Sequence, residues 1–146
     1  GGVMNRDVER QVWQRVLGQS EAPQGSLRPM ELEAMEAAAV YRRLAGQSSG
    51  QRREQLRHLH DRQAEILACL RGIGRLSGCG SGKPAQAAVP EEPAAKALEK
   101  RCHCARRAVT EYTARTVDGD FGVVFQHLAD LSREECAALA RLLGSY

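Results

Sequence analysis

Between Leu27 and Leu44, the residues Leu27, Met30, Ala34, Ala37, Tyr41 and Leu44 recur at alternating intervals of three and four. That spacing follows the α-helical turn of about 3.6 residues and puts all of them on one apolar stripe. The same alternation returns downstream at Leu98, Cys102, Ala105, Val109, Tyr112 and Thr116. Two further stretches carry a single apolar side, one with Leu56, Leu59, Ile66, Leu67 and Leu70, the other with Val124, Phe125, Leu128, Leu131, Leu139 and Leu142. Strands favour β-branched and aromatic residues, and aromatics are 4% of this chain. The sequence therefore predicts an all-α protein.

The breaks between stripes set the organisation. GQSSG at 46–50 separates a helix over Leu27–Ala45 from one over Gln51–Leu70, and Asp118-Gly119-Asp120 separates Ala94–Val117 from Phe121–Leu143. Residues 71–93 are rich in Gly, Ser, Ala and Pro and hold no period, which reads as a linker. Residues 1–25 form a separate N-terminal piece. It comprises a short amphipathic helix over Asn5–Leu17, with Val8, Val12, Trp13 and Val16 on one side, and then a loop. Residues 26–146 form the main domain. Two short turns flanking one long connection predict a four-helix bundle of two antiparallel hairpins joined by a long crossover.

Charge and cysteine usage narrow the function classes. The net charge of +3 falls short of the dense basic surface of a nucleic-acid binder, and no apolar run approaches a membrane span. The positive charge is almost all arginine, and the doublets Arg42-Arg43, Arg52-Arg53 and Arg106-Arg107 read as solvated helix faces rather than anion-binding sites. The five cysteines, Cys69, Cys79, Cys102, Cys104 and Cys136, follow no secreted-scaffold spacing and no signal peptide precedes them. The expectation is a reduced, cytoplasmic protein with unpaired thiols.

The two halves also resemble each other. ILACLRG (66–72) matches ALARLLG (138–144) at an offset of 72, where Leu56 also meets Leu128 and Leu59 meets Leu131. At an offset of 71, Tyr41 meets Tyr112 and Ala34 meets Ala105. These pairs favour a duplicated helical hairpin.

ELEAMEAAAVYRRLAGQSSGQRREQLRHLHDRQAEILACLRGI resembles the first half of a rubrerythrin-type ferritin-like domain, and ARRAVTEYTARTVDGDFGVVFQHLADLSREECAALARLLG resembles the second. The resemblance implies a ferritin-like four-helix bundle and a homodimer. In that family each hairpin supplies a glutamate about seven residues before a tyrosine, and its second helix supplies Glu-x-x-His. These carboxylates and imidazoles converge on two irons. Carried onto this chain, the pattern is degenerate. Ala34 and Ala105 stand seven residues before the tyrosines, and the Glu-x-x-His positions read Arg62-Gln63-Ala64-Glu65 and Glu134-Glu135-Cys136-Ala137. Both histidines are missing, and of the ligand positions only Glu134 matches. No metal or other cofactor is therefore expected. The carboxylates open to an altered metal site are Glu33, Glu36, Glu65 and Glu134. Arg62 and Glu134 fall at equivalent positions, so the former metal position is expected to hold a buried ion pair of Arg62 and Glu134, with Glu65 as a second acceptor.

Other motifs carry less. Cys102-His103-Cys104 groups three soft ligands, but helix neighbours point about 100° apart and Cys102 lies on the apolar stripe. His58 and His60 point to different faces. Gly80-Ser81-Gly82-Lys83 lacks the first glycine and the hydroxyl of a phosphate loop. The sequence leads to a non-catalytic structural or interaction module. The alternative is a metal-binding ferritin-like protein with an altered site, acting in iron oxidation or peroxide handling.

Overall fold

A computed structural model describes residues 23–78, 89 and 91–146. The expected N-terminal helix at Asn5–Leu17 and most of the connection after residue 78 lie outside the described residues. The described residues form four helices and no strand: α1 (Pro23–Gly46), α2 (Gly50–Leu76), α3 (Ala94–Ala114) and α4 (Gly122–Leu143).

The boundaries follow local chemistry. α1 begins earlier than its apolar stripe, so Pro29 lies inside the helix and not in its first turn. Proline withholds one i→i−4 hydrogen bond there, and the burial of Leu27 and Met30 on either side helps offset the loss. Between α1 and α2 the chain turns on Gln47–Leu44 and Ser48–Ala45 backbone hydrogen bonds of 3.2 and 3.1 Å. It enters α2 through Gly50 at φ 62°, a conformation that costs glycine little. α2 runs to Leu76, into the segment read from sequence as linker. Gly72 and Gly74 suggested a break, each costing about 1 kcal/mol against alanine in a helix. Burial of Ile73 returns about 1.5–3 kcal/mol, and the chain leaves the helix after Leu76, through Ser77 and Gly78 at φ 79°. At the start of α4, a Cβ on Gly122 would lie 2.4 Å from the Thr116 carbonyl oxygen, so the turn can close this tightly only around glycine.

α1 packs on α2, α3 on α4, α2 on α4 and, most loosely, α1 on α3. Cross-helix bonds give the directions. Arg43 of α1 reaches the carbonyl of Glu92, just before α3, whereas Arg101 and Arg107 further along α3 reach back to Glu33. Arg52 near the start of α2 bonds Ser145 beyond α4, and Arg62 pairs with Glu134. Both helix pairs run antiparallel.

The core is divided. One apolar cluster gathers Met30, Ile66, Leu70, Tyr112, Phe125 and Leu128 toward the α3–α4 turn. A second gathers Tyr41, Leu44, Leu56, Leu98, Leu139 and Leu142 toward the α1–α2 turn. At the boundary lie polar residues that are themselves buried, Gln63, Ser132 and Glu135, with Arg101 about one turn into the second cluster. Residues matched by the internal offset are buried in both halves: Leu56 with Leu128, Leu59 with Leu131, and Tyr41 with Tyr112. No described helix is long and apolar enough to cross a membrane.

Candidate functional site: a buried ion pair and phenol in the bundle centre

Glu135 falls on the buried stripe of α4, four residues after Leu131 and four before Leu139. Arg101 occupies the buried side of α3 beside Leu98, Cys102 and Ala105. Tyr41 comes from α1. Relative exposures are 0% for Tyr41, 2% for Glu135 and 8% for Arg101. Arg101 Nη2 donates to Glu135 Oε2 at 2.8 Å and Arg101 Nε donates to the Tyr41 hydroxyl at 3.3 Å. The Tyr41 hydroxyl in turn donates to the same Glu135 oxygen. The guanidinium carbon lies 5.6 Å from the Tyr41 ring centroid. The result is a closed triangle joining three helices.

Burial pushes the Tyr41 phenol well above its ordinary pKa, and the Glu135 charge adds to it. The phenol is therefore a fixed donor. Burial alone would lower the pKa of Arg101, but Tyr41 and Glu135 outweigh it and hold the guanidinium above its ordinary value. Taking each charge out of water costs several kcal/mol, repaid when geometry and hydrogen bonding are both good. Here every member has two partners in the triangle. Tyr112, at the position matching Tyr41, stacks on Phe125 at 6.4 Å and has no hydroxyl partner among the described residues.

Beside the triangle, the loose α1–α3 contact leaves a groove of about 560 Å³. Arg101 forms part of its inner wall, and Glu33, Arg43 and Cys104 line it. Glu33 Oε1 is buried without a hydrogen bond, with Arg107 Nη2 at 3.6 Å and Arg101 Nη1 at 4.0 Å. Burial raises the Glu33 carboxyl pKa, against the pull of Arg101 and Arg107. Burial raises the Cys104 thiol as well, and the Glu33 charge contributes.

The residues singled out in the sequence are dispersed. Glu33 and Glu36 line the α1–α3 groove. Glu65 and Glu134 lie on the α2–α4 side, where Glu65 faces His127 at 3.5 Å. Arg62 and Glu134 do meet, but on the surface, with side-chain exposures of 33% and 62%, and not in the bundle centre. Glu65 pairs with His127 rather than joining them. The buried acid of α4 is Glu135, one residue on, and its partner is Arg101. Under the offset of 72, Glu135 corresponds to Gln63, which is also buried. Shifted to this register, the Glu-x-x-His positions of the resemblance end in Ile66 and Ala138, again without histidine. The sequence did contain a signal: a charged side chain on an apolar stripe at Glu135, matched by a polar one at Gln63.

Cys102 is buried, His103 exposed and Cys104 half-buried in the groove, so this triplet points three ways. Cys69, Cys102, Cys104 and Cys136 are free thiols, while Cys79 lies outside the described residues. His60 pairs with Asp61 at 3.2 Å, whereas His58 opens onto the α2–α4 side. Among the described residues no group of three or more His, Cys, Asp or Glu side chains is placed to hold a metal ion. In the bundle centre the donor set is one carboxylate already neutralised by a guanidinium, a poor fit to a metal pair. Comparison with protein-family models, curated proteins and solved structures finds no match to this chain.

Proposed function

We propose that the chain is a ferritin-like bundle that acts as a non-catalytic structural or interaction module. The observation that carries this reading is the Arg101–Glu135–Tyr41 triangle. A di-iron site gathers several carboxylates and imidazoles in the bundle centre. Here a cation stands in that region, repels a metal and takes up the buried acid. Helix directions support the ferritin-like topology. With α1 antiparallel to both neighbours, α2 and α3 run parallel, as a single long crossover requires. The free thiols fit a reducing compartment, and pairing of two copies is the assembly the resemblance implies.

Metal analysis of protein purified without chelators, with iron in the growth medium, tests the reading together with an Fe(II) oxidation assay. The expected result is less than stoichiometric metal and no oxidation above the uncatalysed rate. The second reading, a metal-binding protein for iron oxidation or peroxide handling, rests on Glu33, which makes no hydrogen bond through its buried Oε1 and lines the groove with Glu36 and Cys104. Tight binding of one metal per chain, lost in Glu33→Gln, would replace the first reading with this one.

A further inference from the structure

At the α1–α2 turn, away from the triangle and the groove, α2 and α4 enclose a hollow of about 480 Å³ lined by Arg52, Arg141, Ser48, Ser49, Ser145 and neighbouring glutamines. No acidic side chain lines it. We propose that this hollow binds a small tetrahedral oxyanion of the phosphate class, held between Arg52 and Arg141.

Arg141 carries the argument. It takes part in no ion pair, hydrogen bond or ring contact among the described residues. It lines both this hollow and an adjoining one of about 370 Å³ that contains His58 and Arg62. The acid of that second hollow, Glu134, is engaged by Arg62. Arg52, from the other helix, is held in place: its Nη2 donates to the Ser145 carbonyl at 2.6 Å, and its guanidinium lies 3.8 Å from the Tyr146 ring centroid. One fixed and one uncommitted guanidinium from separate helices therefore face one space.

The backbone around the hollow is arranged the same way. Several carbonyls at this end of the bundle are already engaged. Leu44 and Ala45 accept from Gln47 and Ser48, and Ala140, Leu142 and Leu143 accept from Gly144, Ser145 and Tyr146. The opening of α2 is the reverse. Ser49 makes no side-chain cap and no acid stands in the first turn, so the first amides of α2 keep their donors free. The Ser48 and Ser145 hydroxyls donate to the Leu44 and Leu142 carbonyls, so the donors left for a ligand are the two guanidiniums, the Ser49 hydroxyl and the α2 amides, a set that suits three or more acceptor oxygens better than a planar carboxylate.

The test is calorimetric titration of the full chain with inorganic phosphate, with amide shifts used to locate the ligand. The expected result is saturable binding of one phosphate per chain, with shifts concentrated at Gly50 to Arg53. Arg141→Gln, which removes no contact of the free protein, should weaken binding by about tenfold or more, the worth of one charge-assisted hydrogen bond. Arg106→Gln on the exposed side of α3 should leave it unchanged. An equal loss in both variants, or no saturation below about 10 mM phosphate, would overturn the proposal. So would a single-stranded oligonucleotide that binds much more tightly than phosphate with a steep salt dependence, because the site would then be one stretch of a longer polyanion surface.

Discussion

Replacing Glu135 with alanine should be among the most damaging single changes in the bundle. It leaves the Arg101 guanidinium, 8% exposed, without its carboxylate, and takes the acceptor from the Tyr41 hydroxyl, 0% exposed. Stranding one member of a buried ion pair costs about 3–5 kcal/mol, a large share of the roughly 5–15 kcal/mol that holds a domain together. Glu135→Ala should therefore lower the midpoint of thermal unfolding, followed by helical circular dichroism, by about 10 °C or more. The pair itself need not stabilise the fold, since well-packed apolar side chains of similar size often do as well. Arg101→Met combined with Glu135→Leu should thus recover the part of the loss that comes from the stranded charge, leaving the cost of the unpartnered Tyr41 hydroxyl, about 1–3 kcal/mol, and giving a coupling of about 2 kcal/mol or more in a double-mutant cycle. A cost below about 1 kcal/mol for Glu135→Ala, or a double variant as unstable as the two single losses added together, would refute the account of this triangle as a desolvated, mutually satisfied unit.

By contrast, Glu134→Ala should change stability by no more than about 1 kcal/mol in chemical denaturation, because its pair with Arg62 is solvent-exposed. Glu33→Gln should stabilise the protein near neutral pH. Burial raises the Glu33 pKa above its ordinary 4.5, so the unfolded chain loses this proton first and the group's favourable contribution, present below that value, is lost as pH rises through the folded pKa. Unfolding measured at several pH values should show the gain from Glu33→Gln shrinking toward acid, and a gain that grows toward acid would contradict this. Gly122→Ala should cost about 1–3 kcal/mol, since the new Cβ meets the Thr116 carbonyl. The same change at Gly46, where a Cβ meets nothing within 4 Å, should be close to neutral in thermal denaturation.

The stripes were legible in the sequence because burial on a helix repeats with the turn. Leu27 through Leu44 and Leu98 through Tyr112 mark the core sides of α1 and α3 almost residue for residue, with Val109 only half-buried. The site was less legible, and the error is one residue wide. A shift of one position rotates a side chain by about 100°, enough to exchange the buried Glu135 for the exposed Glu134. The apolar neighbours Leu131 and Leu139 pointed to Glu135, whereas the Glu-x-x-His spacing pointed to Glu134. Arg101 was hidden for a different reason. Arginine is almost never fully buried unless paired, and its partners stand 60 residues back and 34 residues on, a separation that local periodicity does not report. The continuation of α2 through Gly72 and Gly74 was masked because the cost of those glycines is local, whereas the burial that offsets it comes from other helices.

The division of the triangle between hairpins bears on how the halves recognise each other. Tyr41 belongs to the α1–α2 hairpin, while Arg101 and Glu135 belong to the α3–α4 hairpin. Two hairpins so alike in their leucines could also pair like with like between chains. Two α1–α2 hairpins joined that way would set each Tyr41 hydroxyl against the Gln63 amide in place of a carboxylate. Two α3–α4 hairpins would crowd a second arginine and a second glutamate into the same dry space. The mixed pair delivers the Tyr41 phenol to a single charged acceptor already held by its cation. An exchange of hairpins between copies that rebuilds this mixed contact would keep the triangle whole.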